Sequence, residues 1–328
     1  MITKTEKPGL ARELELFRSV PLAAIPFLAS QDMRLYCCRE SDSQPVLLCN
    51  MREAAGEATY ADLEKRGFES LLVQKQDFPH VSQVLLESVD SLLADSSSPS
   101  ETCFALLQIA YAREIERLFC KPRLEQYVAL AQEIGRKIST LGQEREMSIA
   151  KLFKQVHHNS ETYSHVTNVA AYAVTLAQAL EMATPRELDE IAVGCMLHEV
   201  GRLWLPGGLM AQKGRLSARD TQEIERAPQL AYEALIDFKE LSFGQLMMAY
   251  QQHERVDGTG YPVRTLQKDI HPWAKLLAVA DVLDAVTSSR AYRSAHSLRE
   301  ALLHLTYVAN KHLEPEMVLC LITNSQCQ

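Results

Sequence analysis

Cys195-Met196-Leu197-His198-Glu199-Val200-Gly201-Arg202 is the stretch on which the reading of this chain turns. Apolar residues lead into His198-Glu199, which puts the pair near the end of a buried helix, where an imidazole and a carboxylate are costly to hide without a partner. A metal ion is the natural partner, because neighbouring His and carboxylate ligands on one helix turn can share or bridge a hard or borderline cation. Taken alone, the pair reads better as a satisfied core histidine beside a surface glutamate. What shifts the balance is the set of further candidate ligands in the same half of the chain.

His165 opens a helix whose inner side carries Val166, Val169, Ala170 and Ala173, and Glu161, four residues earlier, shares its face if the first turn is already helical. Leu276 to Ala285 is an apolar helical run that buries Asp281, a carboxylate in need of a cation or a strong donor. Between them, Gln252-His253-Glu254-Arg255-Val256-Asp257-Gly258-Thr259-Gly260-Tyr261-Pro262 follows an apolar helix as a polar loop. Its two glycines and proline fix an irregular backbone of the sort that brings main-chain N–H groups close to an anion.

Composition bounds the rest. At 328 residues with 47% hydrophobic and 23% charged side chains, the chain is globular and long enough for two domains. A net charge of −8 argues against a general nucleic-acid surface, so no DNA partner is expected. The eight cysteines follow no paired framework, and adjacent Cys37-Cys38 cannot form an ordinary disulfide, so a cytoplasmic location is expected. The start of the chain is charged, with no apolar core of a signal peptide, and no run reaches membrane-spanning length.

Mainly helical structure is predicted, in three parts. Residues 1–78 read as a small α+β regulatory or docking module. Residues 1–30 are an extended or partly helical lead-in interrupted by Pro21 and Pro26, followed by strands at Met33–Cys38, Pro45–Cys49 and Ser70–Gln74, with a helix from Tyr60 to Arg66 stopped by Gly67. Residues 79–144 read as a helical connector whose apolar stripes suit a bundle core or a homodimer face, and residues 145–328 as a helical domain carrying the chemistry.

The motifs, in their order, resemble the HD-GYP family: His165; His198-Glu199-Val200-Gly201-Arg202; His253 to Pro262; and Val279-Ala280-Asp281-Val282-Leu283-Asp284-Ala285-Val286-Thr287 with Arg290-Ala291-Tyr292-Arg293. That family belongs to the HD superfamily of metal-dependent phosphohydrolases and hydrolyses cyclic di-GMP. The resemblance covers about residues 145–325 and implies an HD-type helical bundle. It implies metal ligands at His165, His198, Glu199, His253 and Asp281, with Glu199 and Arg202 in catalytic positions. It also implies nucleotide contacts from Arg255, Asp257, Gly258, Gly260, Tyr261, Pro262, Arg290 and Arg293, the arginines suiting bidentate phosphate binding.

Departures from the family pattern are specific. Glu199 stands for an aspartate and Arg202 for a lysine, the latter keeping the charge but not the point-ammonium geometry. Ala227, ahead of Pro228, and Gln252, ahead of His253, stand where two histidines of the second metal position are usual, while Gln212 replaces a loop lysine. One divalent metal at most, iron or manganese, is therefore expected, with the second site lost. Three functions compete: a cyclic di-GMP phosphodiesterase of altered or low activity, an inactive domain that binds the nucleotide or a protein partner, and a purely structural interaction module.

Overall fold

Alternating apolar residues and a proline-punctuated return build the first part of the protein. The computed structural model describes residues 16–29, 31–38, 44–50, 63, 65–68, 70–94, 98–121, 123–145, 147–155, 161–206, 209, 216–288 and 295–326. Contacts divide the chain into two compact units, Met1–Glu114 and Ile115–Gln328.

In the first unit, strands β1 (Phe17–Pro21), β2 (Arg34–Cys37), β3 (Val46–Asn50) and β4 (Ser70–Gln74) form an antiparallel sheet in the order β1-β4-β2-β3. The three expected strands are present. The extended, partly helical lead-in divides into two elements: Phe17 lies opposite Gln74 and Pro21 opposite Ser70, so part of it is an edge strand, followed by a short helix α1 (Ile25–Leu28) with Pro26 in its first turn. Proline is tolerated because it ends an edge strand, where its missing N–H breaks no ladder. The period-2 pattern sends Leu71 and Val73 of β4, with Val20, Leu35 and Cys37, into the core. Helix α2 (Phe78–Glu87) adds buried Phe78, Val81 and Leu85, and α3 (Val89–Ala94) follows. Gly67 has φ of +79°, the left-handed conformation expected where Gly67 stops a helix. Most of the predicted 60–66 helix lies outside the described residues.

Helix α4 (Ser100–Cys120) leads to α5 (Leu124–Glu144), whose buried residues Tyr127, Val128, Ala131, Ile134, Ile138 and Leu141 repeat at helical spacing. In the second unit α5, α6 (Ile149–Gln155), α7 (Thr162–Ala179), α8 (Pro185–Leu197), α9 (Ala218–Ile224), α10 (Ala227–Leu235), α11 (Phe243–Gln251), α12 (Pro272–Thr287), α13 (Leu298–Val308) and α14 (Pro315–Gln326) form the bundle. Helix α8 is its hub, packing on α5, α7 and α11, while α12 packs on α7. Its start is fixed by a capping box, Thr184 with Glu187, and by Pro185 in the first turn. No helix among the described residues is long and apolar enough to cross a membrane.

The α5–α8 seam is close enough to need a glycine, since a Cβ on Gly135 would stand 2.8 Å from the Val193 nitrogen. Gly135→Val should therefore force the two helices apart and lower stability by about 3 kcal/mol, read by urea denaturation. An unchanged midpoint would show that the seam is not tightly packed.

Candidate metal centre

The end of α8 supplies the site with its orientation. An α-helix leaves its last carbonyls without intrahelical partners. Here the Cys195 carbonyl accepts from His198 Nδ1 at 2.6 Å and the Met196 carbonyl accepts from the Tyr127 hydroxyl at 2.6 Å. The His198 carbonyl accepts from Gln252 Nε2 at 2.6 Å. His198 and Glu199 are 1% and 2% exposed, and the chain then turns into a 3₁₀ segment, Val200–Trp204, that carries Arg202.

His165 sits one turn into α7, its N–H bonded to the Glu161 carbonyl at 3.1 Å, so the first turn is helical as the spacing required. Its Nδ1 lies 2.8 Å from Asp284 Oδ2, and Asn168 Nδ2 donates to Asp284 Oδ1 at 2.7 Å. Each Nδ1 thus faces an oxygen that can only accept, which leaves the lone pair of each neutral ring on Nε2. Those two Nε2 atoms stand 3.3 Å apart. Glu199 Oε1 is 3.6 Å from His165 Nε2 and 3.4 Å from His198 Nε2, and Asp281 Oδ1 is 3.5 Å from His165 Nε2.

Two lone pairs and two carboxylate oxygens therefore converge with no permanent hydrogen-bond donor among them. This acceptor set fits a divalent cation, and His165, His198 and Glu199 satisfy ligand spacing among themselves. The electrostatics agree. Burial alone would push the His165 ring down, but hydrogen bonds to Asp284 and Glu199 and the fields of Asp284 and Asp281 raise it to about 10. Without a metal, a proton on this ring supplies the positive charge that the carboxylates demand. Burial pushes Glu199 up, yet Arg202 and the two imidazoles hold it well below the usual carboxylate range. Asp281 is likewise lowered, by His165, His198 and His253 working against burial and Glu199.

The most deeply buried carboxylate of α12 is Asp284, at 1% side-chain exposure, whereas Asp281 is at 15%. Asp281 faces the cluster and Asp284 stands behind His165, three residues on along the same helix face. Sequence reasoning missed Asp284 and Asn168 as site residues. The signal was available in the i, i+3 spacing of Asp281 with Asp284 and of His165 with Asn168 on apolar helices.

His253 follows the end of α11. Burial lowers its ring to about 4, against the opposing pull of Asp281 and Glu199, so it is a neutral imidazole within the field of the cluster. Tyr261 tilts against it with ring centroids 4.8 Å apart, and the Tyr261 N–H donates to the His253 carbonyl at 3.2 Å. The loop makes hydrogen bonds to its own carboxylates. Glu254, 2% exposed, accepts from Val263 N at 2.8 Å and Thr265 N at 2.9 Å. Asp257 closes its own turn by accepting from Thr259 N at 3.0 Å and Thr259 Oγ1 at 2.6 Å. Gly258 has φ of +76°, and a Cβ on Gly260 would stand 2.5 Å from the His253 carbonyl oxygen, so both glycines are required by the fold of the loop. The field of Arg255 reaches His253 and Tyr261. Arg290, Arg293 and Gln212 lie outside the described residues.

Helical elements presenting buried imidazoles and carboxylates to one another define a metal-binding helical domain. The chain belongs to the HD domain family, whose model matches residues 123–317, and its motifs place it in the HD-GYP branch. A solved structure, Bd1817, a HDG"Y"P protein from Bdellovibrio bacteriovorus, shares the fold with a TM-score of 0.61 at 16% identity, covering 93% of this chain and 98% of that one. The cyclic di-GMP phosphodiesterase PA4108 of Pseudomonas aeruginosa is 28% identical over 65% of this chain and 51% of its own length. The cyclic di-GMP phosphodiesterase response regulator RpfG of Xanthomonas campestris is 25% identical over 67% of this chain and 57% of its own. A 3'3'-cGAMP-specific phosphodiesterase 2 of Vibrio cholerae is 31% identical over 49% of this chain and 31% of its own. The chain thus spans little more than half the length of the first two relatives.

Two outcomes follow from the geometry. Asp284→Asn removes the charge that orients His165, and metal affinity should fall about 10–100-fold with helicity unchanged, as measured by chelator competition. Undiminished affinity would mean that Asp284 does not orient the ligand.

The pH dependence has a definite sign. With a folded value near 10 against an ordinary 6.5, protonated His165 stabilises the metal-free protein fully below about 6.5, and this contribution is lost as pH rises towards 10. The Tm of the metal-free protein should fall across that window, and bound metal should flatten the curve.

Proposed function

We propose that this protein is a cyclic dinucleotide phosphodiesterase of the signalling type, of altered or low turnover, acting on cyclic di-GMP. The observation that carries this reading is the meeting of His165 and His198 Nε2 atoms with Glu199 and Asp281 oxygens, all within 3.3–3.6 Å of a neighbour in the cluster. The names of the similar proteins support the substrate class, both cyclic di-GMP and 3'3'-cGAMP being cyclic dinucleotides.

His165, His198, Glu199 and Asp281 would hold one divalent ion, iron or manganese. Bound there, such an ion lowers the pKa of a water and polarises a phosphoryl oxygen. The second metal position is lost: Ala227 offers a methyl group and the Gln252 amide is engaged with the His198 and Ala249 carbonyls at 2.6 and 3.3 Å. His253 is a neutral imidazole at the edge of the cluster, available to the same ion or to the nucleotide. Tyr261, held against His253, offers a ring edge to a base, with Arg255 supplying positive charge beside it. Residues 1–78 would act as a regulatory or docking module for signalling proteins and the helices from residue 79 up to α5 as connector and homodimer face, with the bundle that includes α5 working in the cytoplasm.

A second reading is favoured by Ala227 and Gln252 themselves. Loss of two imidazoles suits a domain that keeps the nucleotide but not its hydrolysis, relaying occupancy instead of consuming the ligand.

The test is the protein loaded with iron or manganese, assayed for metal content and for linear product from cyclic di-GMP. One equivalent of metal with slow hydrolysis that vanishes in His198→Ala supports the phosphodiesterase. Tight nucleotide binding without product selects the second reading, and neither binding nor product refutes both.

A further inference from the structure

Glu199 has two oxygens that face different company. Oε1 points to the imidazoles, 3.6 Å from His165 Nε2 and 3.4 Å from His198 Nε2. Oε2, on the other side of the carboxylate, is ion-paired with Nε of Arg202, three residues along the 3₁₀ turn, and has no hydrogen-bond partner among the described residues. In a two-metal site, a carboxylate that bridges places one ion on each oxygen. Here one oxygen has the cluster of metal ligands and the other has a guanidinium.

We propose that Arg202 occupies the place of a second cation on Glu199, so that the phosphate clamp of this chain is one metal ion plus one arginine. The inference rests on the reading of the site as a metal-dependent phosphodiesterase centre and assigns its second positive charge. Three further observations carry it.

First, two of the neighbouring positions, Ala227 and Gln252, bring no good ligand to the outer oxygen. Gln252 is 3% exposed and directs its amide hydrogens to the His198 and Ala249 carbonyls, 2.6 and 3.3 Å away, an arrangement that fixes which end is nitrogen. Its remaining Oε1 is buried without a hydrogen-bond partner, and one neutral oxygen does not hold a transition ion.

Second, the turn that carries Arg202 is pressed onto the backbone at Ala227. A Cβ on Gly201 would lie 1.9 Å from the Ala227 carbonyl oxygen and 2.9 Å from the Ala231 nitrogen. Arg202 and Ala227 therefore belong to adjoining backbone, and the guanidinium is rooted beside the position from which a second-metal histidine would have come.

Third, Arg202 is 35% exposed while the carboxylate it contacts is 2% exposed, so the side chain joins the buried cluster to solvent. With Nε on Glu199, the two terminal nitrogens keep their donors for phosphate oxygens, in the planar fork that suits them. The charge is permanent, because a guanidinium does not deprotonate in proteins. The field of Arg202 also reaches His253 and Tyr261.

The test uses the full chain stripped by chelator and titrated with manganese alone, with stoichiometry by elemental analysis and affinity by chelator competition. Arg202→Met removes a positive charge from the cluster, and manganese affinity should rise about tenfold. If Arg202 merely holds Glu199 in position, its loss lowers affinity instead, and the proposal fails. Ala227→His with Gln252→His should stay at one equivalent while Arg202 is present, and adding Arg202→Met to that pair should admit a second. A second equivalent in the histidine pair with Arg202 intact would overturn the proposal. So would a triple variant that stays at one equivalent while keeping wild-type helicity and Tm. Because these counts are read with manganese alone, failure of the separate cyclic di-GMP hydrolysis assay would refute the phosphodiesterase reading and leave the place of Arg202 standing.

Discussion

Two imidazole lone pairs 3.3 Å apart in a largely buried cluster repel unless a positive charge lies between them, and the architecture of the second unit is arranged around that constraint. The rings are not free to turn away. Asp284 and the Cys195 carbonyl hold their other nitrogens, and Asn168 holds Asp284 in turn. The carboxylates of Glu199 and Asp281 complete an environment that is satisfied by a cation and by little else. Helix α7, the end of α8 and helix α12 each contribute, which is why the bundle cannot vary the crossing of these helices without dispersing the cluster.

The polar groups behind the cluster share a pattern. Helix α8 ends where its carbonyls would otherwise lack partners, and those carbonyls become the anchors for His198, Tyr127 and Gln252. In the loop beyond α11, the Glu254 carboxylate similarly gathers the Val263 and Thr265 amides. Buried polar atoms that need partners for ordinary reasons of solvation are the same atoms that set the direction of the ligands.

Much of this was legible in the chain. His198-Glu199 at the end of an apolar run, and His165 and Asp281 each on an apolar helix, name buried charges without a local partner, and helical periodicity delivers the bundle. Other features were not legible because they depend on pairing across long separations. Phe17–Pro21 contains a proline and alternates weakly, and only β4, more than fifty residues on, makes it a strand. Asp284 looked like a repetition of Asp281, since sequence does not say which of two carboxylates one turn apart faces the ligands and which stands behind them. Gln252 read as a missing histidine, whereas its amide hydrogen bond to the His198 carbonyl is visible only once α8 and α11 are side by side. Glu254 read only as part of a polar loop, whereas its carboxylate gathers the Val263 and Thr265 amides from beyond Pro262.

The hydrogen bond from the Tyr127 hydroxyl to the Met196 carbonyl ties α5 to the helix end that bears His198. Tyr127 is 1% exposed, so this bond is shielded from exchange with water. It makes the position of α5 and the order of the ligand cluster two readings of one equilibrium. By thermodynamic reciprocity, whatever occupant tightens the end of α8 favours, by the same free energy, the placement of α5 that keeps the bond. A helix that contributes no ligand is thereby a gauge of what the ligands hold.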